Sequence, residues 1–210
     1  MTPSYKSIEA IDFRLVLFPF RKMAQSKIRI YTKKGDDGTT SLFNSERRTK
    51  DSDYFHALGD VDELNAQLGV AQAICIISPL TDQLTEIQSR LFDLGAHLAT
   101  PRSNSSTSKQ SRTEFLPRHV EALEQWIDSM EESLAPLRTF ILPGGGMLAA
   151  QFHVARAVCR RAERSVTPLI ARGDTEHVIG AYLNRLSDYL FVAARYTTVG
   201  PETAWKKVSE

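Results

Sequence analysis

The segment His153–Val166 (HVARAVCRRAERSV) concentrates the charge of this chain: Arg156, Arg160, Arg161 and Arg164 fall within nine residues, with one acid, Glu163, among them. At helical spacing Arg156, Arg160, Glu163 and Arg164 share one face, because they recur at i, i+4, i+7 and i+8. Arg161 sits to one side. Val154, Val158, Ala162 and Val166 are expected opposite, facing a core. Arginines this close repel one another unless anions compensate, and the planar guanidinium fork suits carboxylates and phosphates. The plain alternative is a solvated face with Glu163 as partner.

Two further segments could contribute polar chemistry. In YLNRLSDYLFVAARY, Asn184, Asp188, Phe191 and Arg195 are expected along one side of a helix, with Leu183, Leu186, Leu190 and Ala194 along the other. An Asn and an Asp one turn apart could hold a ribose, an amide or neighbouring arginines, or simply bond inside a bundle. The loop KKGDDGTTS, residues 33–41, combines Lys33, Lys34, Gly35, Gly38, Thr39, Thr40 and Ser41. Glycines permit left-handed backbone that turns successive N–H groups toward an anion. The loop lacks the spacing of a P-loop, and a plain turn is the alternative. Gly144-Gly145-Gly146 before a helix reads as a tight helix entry needing unusual φ, or as an anion site.

No Ser/His/Asp or Cys/His constellation and no metal-ligand cluster stands out. The two cysteines, Cys75 and Cys159, lie in apolar or helical contexts and read as buried reduced thiols. The net charge of +1 draws the chain neither to nucleic acid nor to anionic lipid, so any anion site must be local. No apolar run approaches the roughly 20 residues needed to span a bilayer.

These groups need a scaffold. The length of 210 residues, with 42% hydrophobic and 24% charged content, suits one domain with a full core. Residues 28–32 read as a short extended piece. Helices are expected from about Asp53 to Ser78-Pro79, Thr81 to Leu98, Pro117 to Leu134, from the end of a turn over residues 140–147 to about Pro168, and Glu176 to Thr198. In the first, Val61, Leu64, Leu68 and Ala71 form the apolar face, with Asp62, Asn65 and Gly69 on the other. Residues 100–115 are Ser-rich and aperiodic, and read as a mobile loop. Five helices with short connections give an all-α, five-helix antiparallel bundle. Residues 1–27, basic but carrying Glu9 and Asp12, read as an extension or a transit segment. The domain spans 28–200, and 201–210 form a tail.

In order and spacing, TKKGDDGTTSLF, ERRTKD, GDVDELN, FILPGGG, HVARAVCRRAER and YLNRLSDYLFVAARY resemble the PduO-type ATP:cob(I)alamin adenosyltransferases. The resemblance covers residues 28–198. Lys34 departs from it, since the family usually has Thr or another small polar residue there. The resemblance implies a homotrimer of helical bundles with ATP near each subunit interface. It implies nucleotide-binding roles for Thr32, Lys33, Lys34, Gly35, Thr40, Ser41 and Lys50, and ATP contacts for Arg160, Arg161, Glu163, Arg164 and Asn184. Asp62 and Arg156 match an intersubunit ion pair, and Phe140 matches an aromatic that lines the cobalamin face.

The implied reaction is attack of cob(I)alamin on the 5′ carbon of ATP, with Mg²⁺ bridging phosphate oxygens and triphosphate leaving. Cobalt(I) is already a strong nucleophile and needs no general base, in keeping with the missing catalytic constellations. The resemblance also implies a separate cob(II)alamin reductase and an adenosylcobalamin-dependent mutase as partners. It places the protein in the mitochondrial matrix of a eukaryotic cell, or otherwise in the cytoplasm. A non-catalytic adenosylcobalamin carrier is the alternative function.

Overall fold

Leucine and alanine recur every three to four residues along most of this chain, and each such stripe becomes one wall of a bundle. The computed structural model describes Tyr31 and residues 33–207. The helices are α1 (Asp53–Ile74), α2 (Ser78–Leu98), α3 (Thr107–Arg112), α4 (Arg118–Glu131), α5 (Met147–Ala171) and α6 (His177–Tyr196). Residues 75–77 and 172–176 are such short links that α1 and α2, and α5 and α6, must run antiparallel. Helix α5 packs on both α1 and α6, while α2 covers α1 and α4 covers α6. Among the described residues no helix is long and apolar enough to cross a membrane.

The five long helices match the expected bundle, with ends shifted by a few residues. Leu64 and Leu68 of α1, Leu84, Ile87 and Leu91 of α2, and Leu183, Leu186 and Leu190 of α6 are all buried. Each such side chain contributes about 1.5–3 kcal/mol. Pro79 occupies the first turn of α2, where its missing N–H is not needed. Pro168 lies inside α5, which continues past it to Ala171 rather than stopping there. Cys75 and Cys159 are free and buried, as expected. Burial pushes the Cys159 thiol pKa up, so it remains a structural thiol that bonds to the Leu183 carbonyl at 3.1 Å.

Three expectations are corrected. Val154 is not on the core face: it is 47% exposed, whereas Val158, Ala162 and Val166 are buried. Steps of four residues advance the helix by a full turn plus about 40°, so a four-residue series drifts off a face within three steps. Asn65 is not outward: it is buried, with Nδ2 3.4 Å from the Gln88 carbonyl and its own carbonyl accepting from Gln88 Nε2 at 3.2 Å. Helix α1 is covered by α2 as well as α5, so a single apolar stripe does not describe it. Residues 100–115 are also not a featureless mobile loop. They contain α3, and Arg102 donates to the Gln110 carbonyl at 3.0 Å while its N–H bonds the Asp174 carbonyl at 2.8 Å. Polar side chains hold this segment down in place of the apolar ones it lacks.

Outside the bundle, β1 (Thr39–Ser41) and β2 (Arg47–Thr49) form an antiparallel hairpin pairing Thr39 with Thr49, Thr40 with Arg48 and Ser41 with Arg47. Residues 34–207 belong to one compact unit. Tyr31 and Lys33 belong to a separate N-terminal unit. The readings of residues 1–27, of most of 28–32 and of Thr32 fall outside the described residues.

Candidate nucleotide and corrinoid site

Helix α5 sorts its arginines by face. Arg161 points to α1, where its Nε bonds Asp60 Oδ1 at 3.0 Å and its Nη2 meets Glu63. Asp60 is also met by the Ser165 hydroxyl. These bonds raise the Arg161 pKa, Glu63 contributing most and Asp60 next. Arg156, Arg160 and Arg164 have no carboxylate partner among the described residues. Glu163 does not compensate them, because its Oε1 accepts from Asn184 Nδ2 on α6 at 3.0 Å. Arg156 and Arg160 border a hollow of about 290 Å³ shared with Ser187, Asp188 and Phe191 of α6. The Arg156 guanidinium lies 6.0 Å from the Phe191 ring centre, and its Nε is buried without a partner. Two carboxylates, Glu131 and Asp188, line the same hollow, and Asp188 is bonded by Arg185. The free guanidinium donors of Arg156, Arg160 and Arg164 still outnumber them and suit an anion.

The glycine loop folds back through the hairpin. Gly38 takes φ +80°, the left-handed conformation its sequence suggested, and its carbonyl accepts from the Lys50 N–H at 2.9 Å. Lys33, in the N-terminal unit, has φ +59°. A side chain at Gly35 would meet the Lys50 ammonium at 3.4 Å, so the lysine and the bare backbone are adjacent. Arg47 organises the loop: its Nη2 donates to the Lys34 carbonyl at 3.0 Å and contacts Asp37 and the Thr39 hydroxyl. The Thr39 hydrogen bonds, with Arg47 nearby, hold the Asp37 carboxyl below its usual pKa. Thr40 and Ser41 lie on β1 opposite Arg48 and Arg47.

Phe140 stands apart from the arginines and is 79% exposed, so it is no core residue. Its ring meets Trp205 edge to face at 6.4 Å, and the two border an apolar hollow of about 430 Å³ with Leu137. The chain after α6 is zipped onto this edge. Leu142 N–H bonds the Thr203 carbonyl at 2.8 Å, Trp205 N–H bonds the Phe140 carbonyl at 2.7 Å, and Val199 N–H bonds the Gly145 carbonyl at 2.8 Å. Gly145 and Gly146 take φ +85° and +98°, the tight helix entry their sequence suggested. Asp62 lines a different hollow, about 330 Å³ between α1 and α2, beside Phe43, Leu91 and Phe92. Within one chain no ion pair joins Asp62 to Arg156 among the described residues.

Residues 30–197 match the family model described as cobalamin adenosyltransferase. The chain belongs to the cobalamin adenosyltransferase family. It is 45% identical over 184 residues to the corrinoid adenosyltransferase MMAB of Bos taurus, covering 85% of this chain and 76% of the relative. It is 40% identical over 188 residues to the corrinoid adenosyltransferase of Mycobacterium leprae, covering 88% of this chain and 98% of that one. Among solved structures it resembles an alanine-for-phenylalanine variant of a PduO-type ATP:corrinoid adenosyltransferase from Lactobacillus reuteri, complexed with cobalamin and ATP. That match has a TM-score of 0.77 and 34% identity, covering 85% of this chain and all of the other.

Within this family frame, the structure adds residues that the sequence did not single out. Arg47 and Asp37 shape the loop, and a charged pair bounding a glycine turn was the available signal. Asp60 and Glu63 claim Arg161, which their position on the helix facing α5 explains. Trp205 carries no local pattern, because its partner Phe140 lies 65 residues away in the chain.

Proposed function

We propose that this protein transfers the 5′-deoxyadenosyl group of ATP to cob(I)alamin. The cobalt electron pair forms the Co–C bond as the C5′–O bond breaks, and the oxygen leaves with triphosphate. The observation that carries this reading is the face of α5 on which Arg156, Arg160 and Arg164 lack carboxylate partners among the described residues while Arg161 and Glu163 are engaged elsewhere. A leaving triphosphate supplies the missing negative charge, and fixed donors stabilise it as its charge grows.

In this reading Arg160 and Lys50 bind phosphate, together with Lys33 and Lys34. Gly35, Thr40 and Ser41 offer backbone and hydroxyl groups, and Thr32 belongs to the same set. Asn184, fixed by Glu163, orients the nucleotide, and Arg164 extends the cationic face. Arg161 acts indirectly, by holding α5 against α1. Phe140 forms an apolar wall beneath the corrin, and the hollow beside it gives cobalt and carbon a shared, oriented site. Asp62 of one protomer meets Arg156 of the next in a homotrimer, which would satisfy the buried Arg156 Nε. No group of three or more His, Cys, Asp or Glu able to hold a metal occurs among the described residues. Mg²⁺ would arrive with ATP and would supply charge neutralisation of the triphosphate. A separate reductase supplies cobalt(I), and a mutase receives the product.

The test is direct. Purified protein is mixed with ATP and chemically reduced cobalamin, and Co–C bond formation is followed in the visible spectrum. Catalytic turnover supports the enzyme; binding of both ligands without turnover means a carrier instead.

A further inference from the structure

His153 on α5 is 7% exposed, and its Nδ1 is buried with no hydrogen-bond partner. Its ring packs edge-on to Phe191 at 6.2 Å and borders a hollow of about 190 Å³ between the Gly144-Gly145 turn and the tail, which Thr198 and Glu202 also line. With Nδ1 enclosed, Nε2 is the ring nitrogen left to face the hollow. A buried orphan N–H is rarer and costlier than an under-used acceptor. The proton therefore sits on Nε2, which presents one donor. Burial, with Arg156 second, lowers the His153 pKa below its ordinary value, and Glu202 opposes this.

Glu202 supplies the complementary group. Its Oε1 accepts from Arg195 Nε at 2.8 Å and its Oε2 accepts more weakly from Arg195 Nη2 at 3.5 Å, and Arg195 is itself buried and bonded to the Ala135 carbonyl at 2.8 Å. The carboxylate is thus held in place with lone pairs to spare. A neutral donor beside an acceptor suits neither a phosphate nor a free carboxylate. It suits a primary carboxamide, whose C=O accepts and whose NH₂ donates. The hollow is lined by Ile141 and Leu142, which directly follow Phe140 in the chain, and Ile141 is bridged to Ala204 of the tail.

We propose that His153 and Glu202 form an anchor for one peripheral carboxamide of the corrinoid. This rests on the function proposed above, and it makes the tail after α6 part of corrinoid selection.

The test uses the full-length protein and a set of cobalamins, each with one peripheral carboxamide hydrolysed to the acid, titrated by visible absorbance with ATP present. Wild type should bind one member about tenfold or more weaker than the parent, because a carboxylate there faces Glu202 and offers no donor. His153→Phe, which keeps the ring contact with Phe191, should weaken the parent about tenfold, leave the Kd for ATP unchanged and lose that discrimination. Equal binding of every acid by wild type overturns the anchor, and this arm needs no variant. A His153→Phe protein that loses ATP rather than corrinoid affinity overturns it as well, since the adenine edge also pairs a donor with an acceptor. Absence of any corrinoid binding by wild type would remove the proposed function itself; binding without amide discrimination removes only the anchor.

Discussion

Glu163 spends its carboxylate on Asn184, 3.0 Å away on the next helix, and not on the arginines beside it. The pair crosslinks α5 to α6 one residue before Arg164, so the orientation of Asn184 depends on Glu163. Glu163→Ala and Asn184→Ala should each raise the Kd for ATP, and the double variant should cost less than their sum. Coupling of about 0.5–1.5 kcal/mol is expected in a double-mutant cycle read by calorimetry. Additive losses would show that the two side chains act separately.

Arg160 and Arg161 are neighbours with opposite commitments. Arg160→Ala should lower turnover by roughly 10²–10⁴ by removing a charge-assisted contact to the leaving group. Arg160→Lys should recover only part, because the fork is lost. Arg161→Ala should instead lower the melting temperature only slightly, because a solvent-screened ion pair contributes little. Steady-state kinetics and thermal melts of the three variants separate these outcomes. An Arg160→Ala enzyme of near-wild-type kcat/KM would take this residue out of the mechanism.

Asp62 and Arg156 line different hollows, and no ion pair joins them within one chain. In the proposed trimer, Asp62→Arg should reduce trimer content in sedimentation, or ATP use in assays, and Arg156→Asp in the same chain should restore part of it. A desolvated pair broken on one side costs about 3–5 kcal/mol. Equal defects in the single and double variants would mean that the residues do not meet.

The long helices were legible because their stripes repeat at helical spacing over several turns, as in Leu84, Ile87, Leu91, Leu94 and Leu98. The arginine face was legible for the same reason. Arg161 was harder: its position beside the face is visible, but its claim by Asp60 and Glu63 depends on α1 packing against α5. Asn65 was misread because a helix between two neighbours buries more than one stripe. Residues 100–115 were misread because polar side chains anchor them. Hydrogen-bond partners such as Ser103 and Asp174, 2.6 Å apart, leave no periodic trace in sequence.

That anchored segment predicts a pH response. Nδ1 of His97 lies 3.0 Å from the Thr113 carbonyl and 2.7 Å from Arg102 Nη2. Burial, and then the Arg102 charge, push the His97 pKa down to about 4. The unfolded chain therefore takes up a proton that the folded chain refuses between about pH 6.5 and 4. Stability from this group is present above that window and lost as pH falls through it. His119 and His153 are lowered in the same sense, so the comparison must be with a variant. His97→Gln should flatten the dependence of Tm on pH from 6.5 to 4 relative to wild type. Parallel curves would show that His97 is not the titrating group.

Phe140 and Trp205 make the last case, in which stability and chemistry should part. A buried phenylalanine cut to alanine costs about 3–5 kcal/mol, but Phe140 is 79% exposed, with its contact to Trp205 at the rim of an apolar hollow. Phe140→Ala should therefore melt almost as wild type does and bind ATP almost as tightly, since the arginine face lies elsewhere. Its loss should fall on cobalt. An aromatic wall excludes water and the nucleotide tail from the lower coordination position, and a cobalt(II) without that ligand is easier to reduce. With ATP present, wild type should display the paramagnetic resonance signal of four-coordinate cob(II)alamin, and Phe140→Ala should lose most of it together with turnover from cobalt(II). Trp205→Ala removes only the outer half of the pair and should weaken the same signal less. Retention of the full signal in Phe140→Ala would mean that the wall lies elsewhere in the molecule, while a large fall in Tm would mean that the ring stabilises the fold through its hold on the tail.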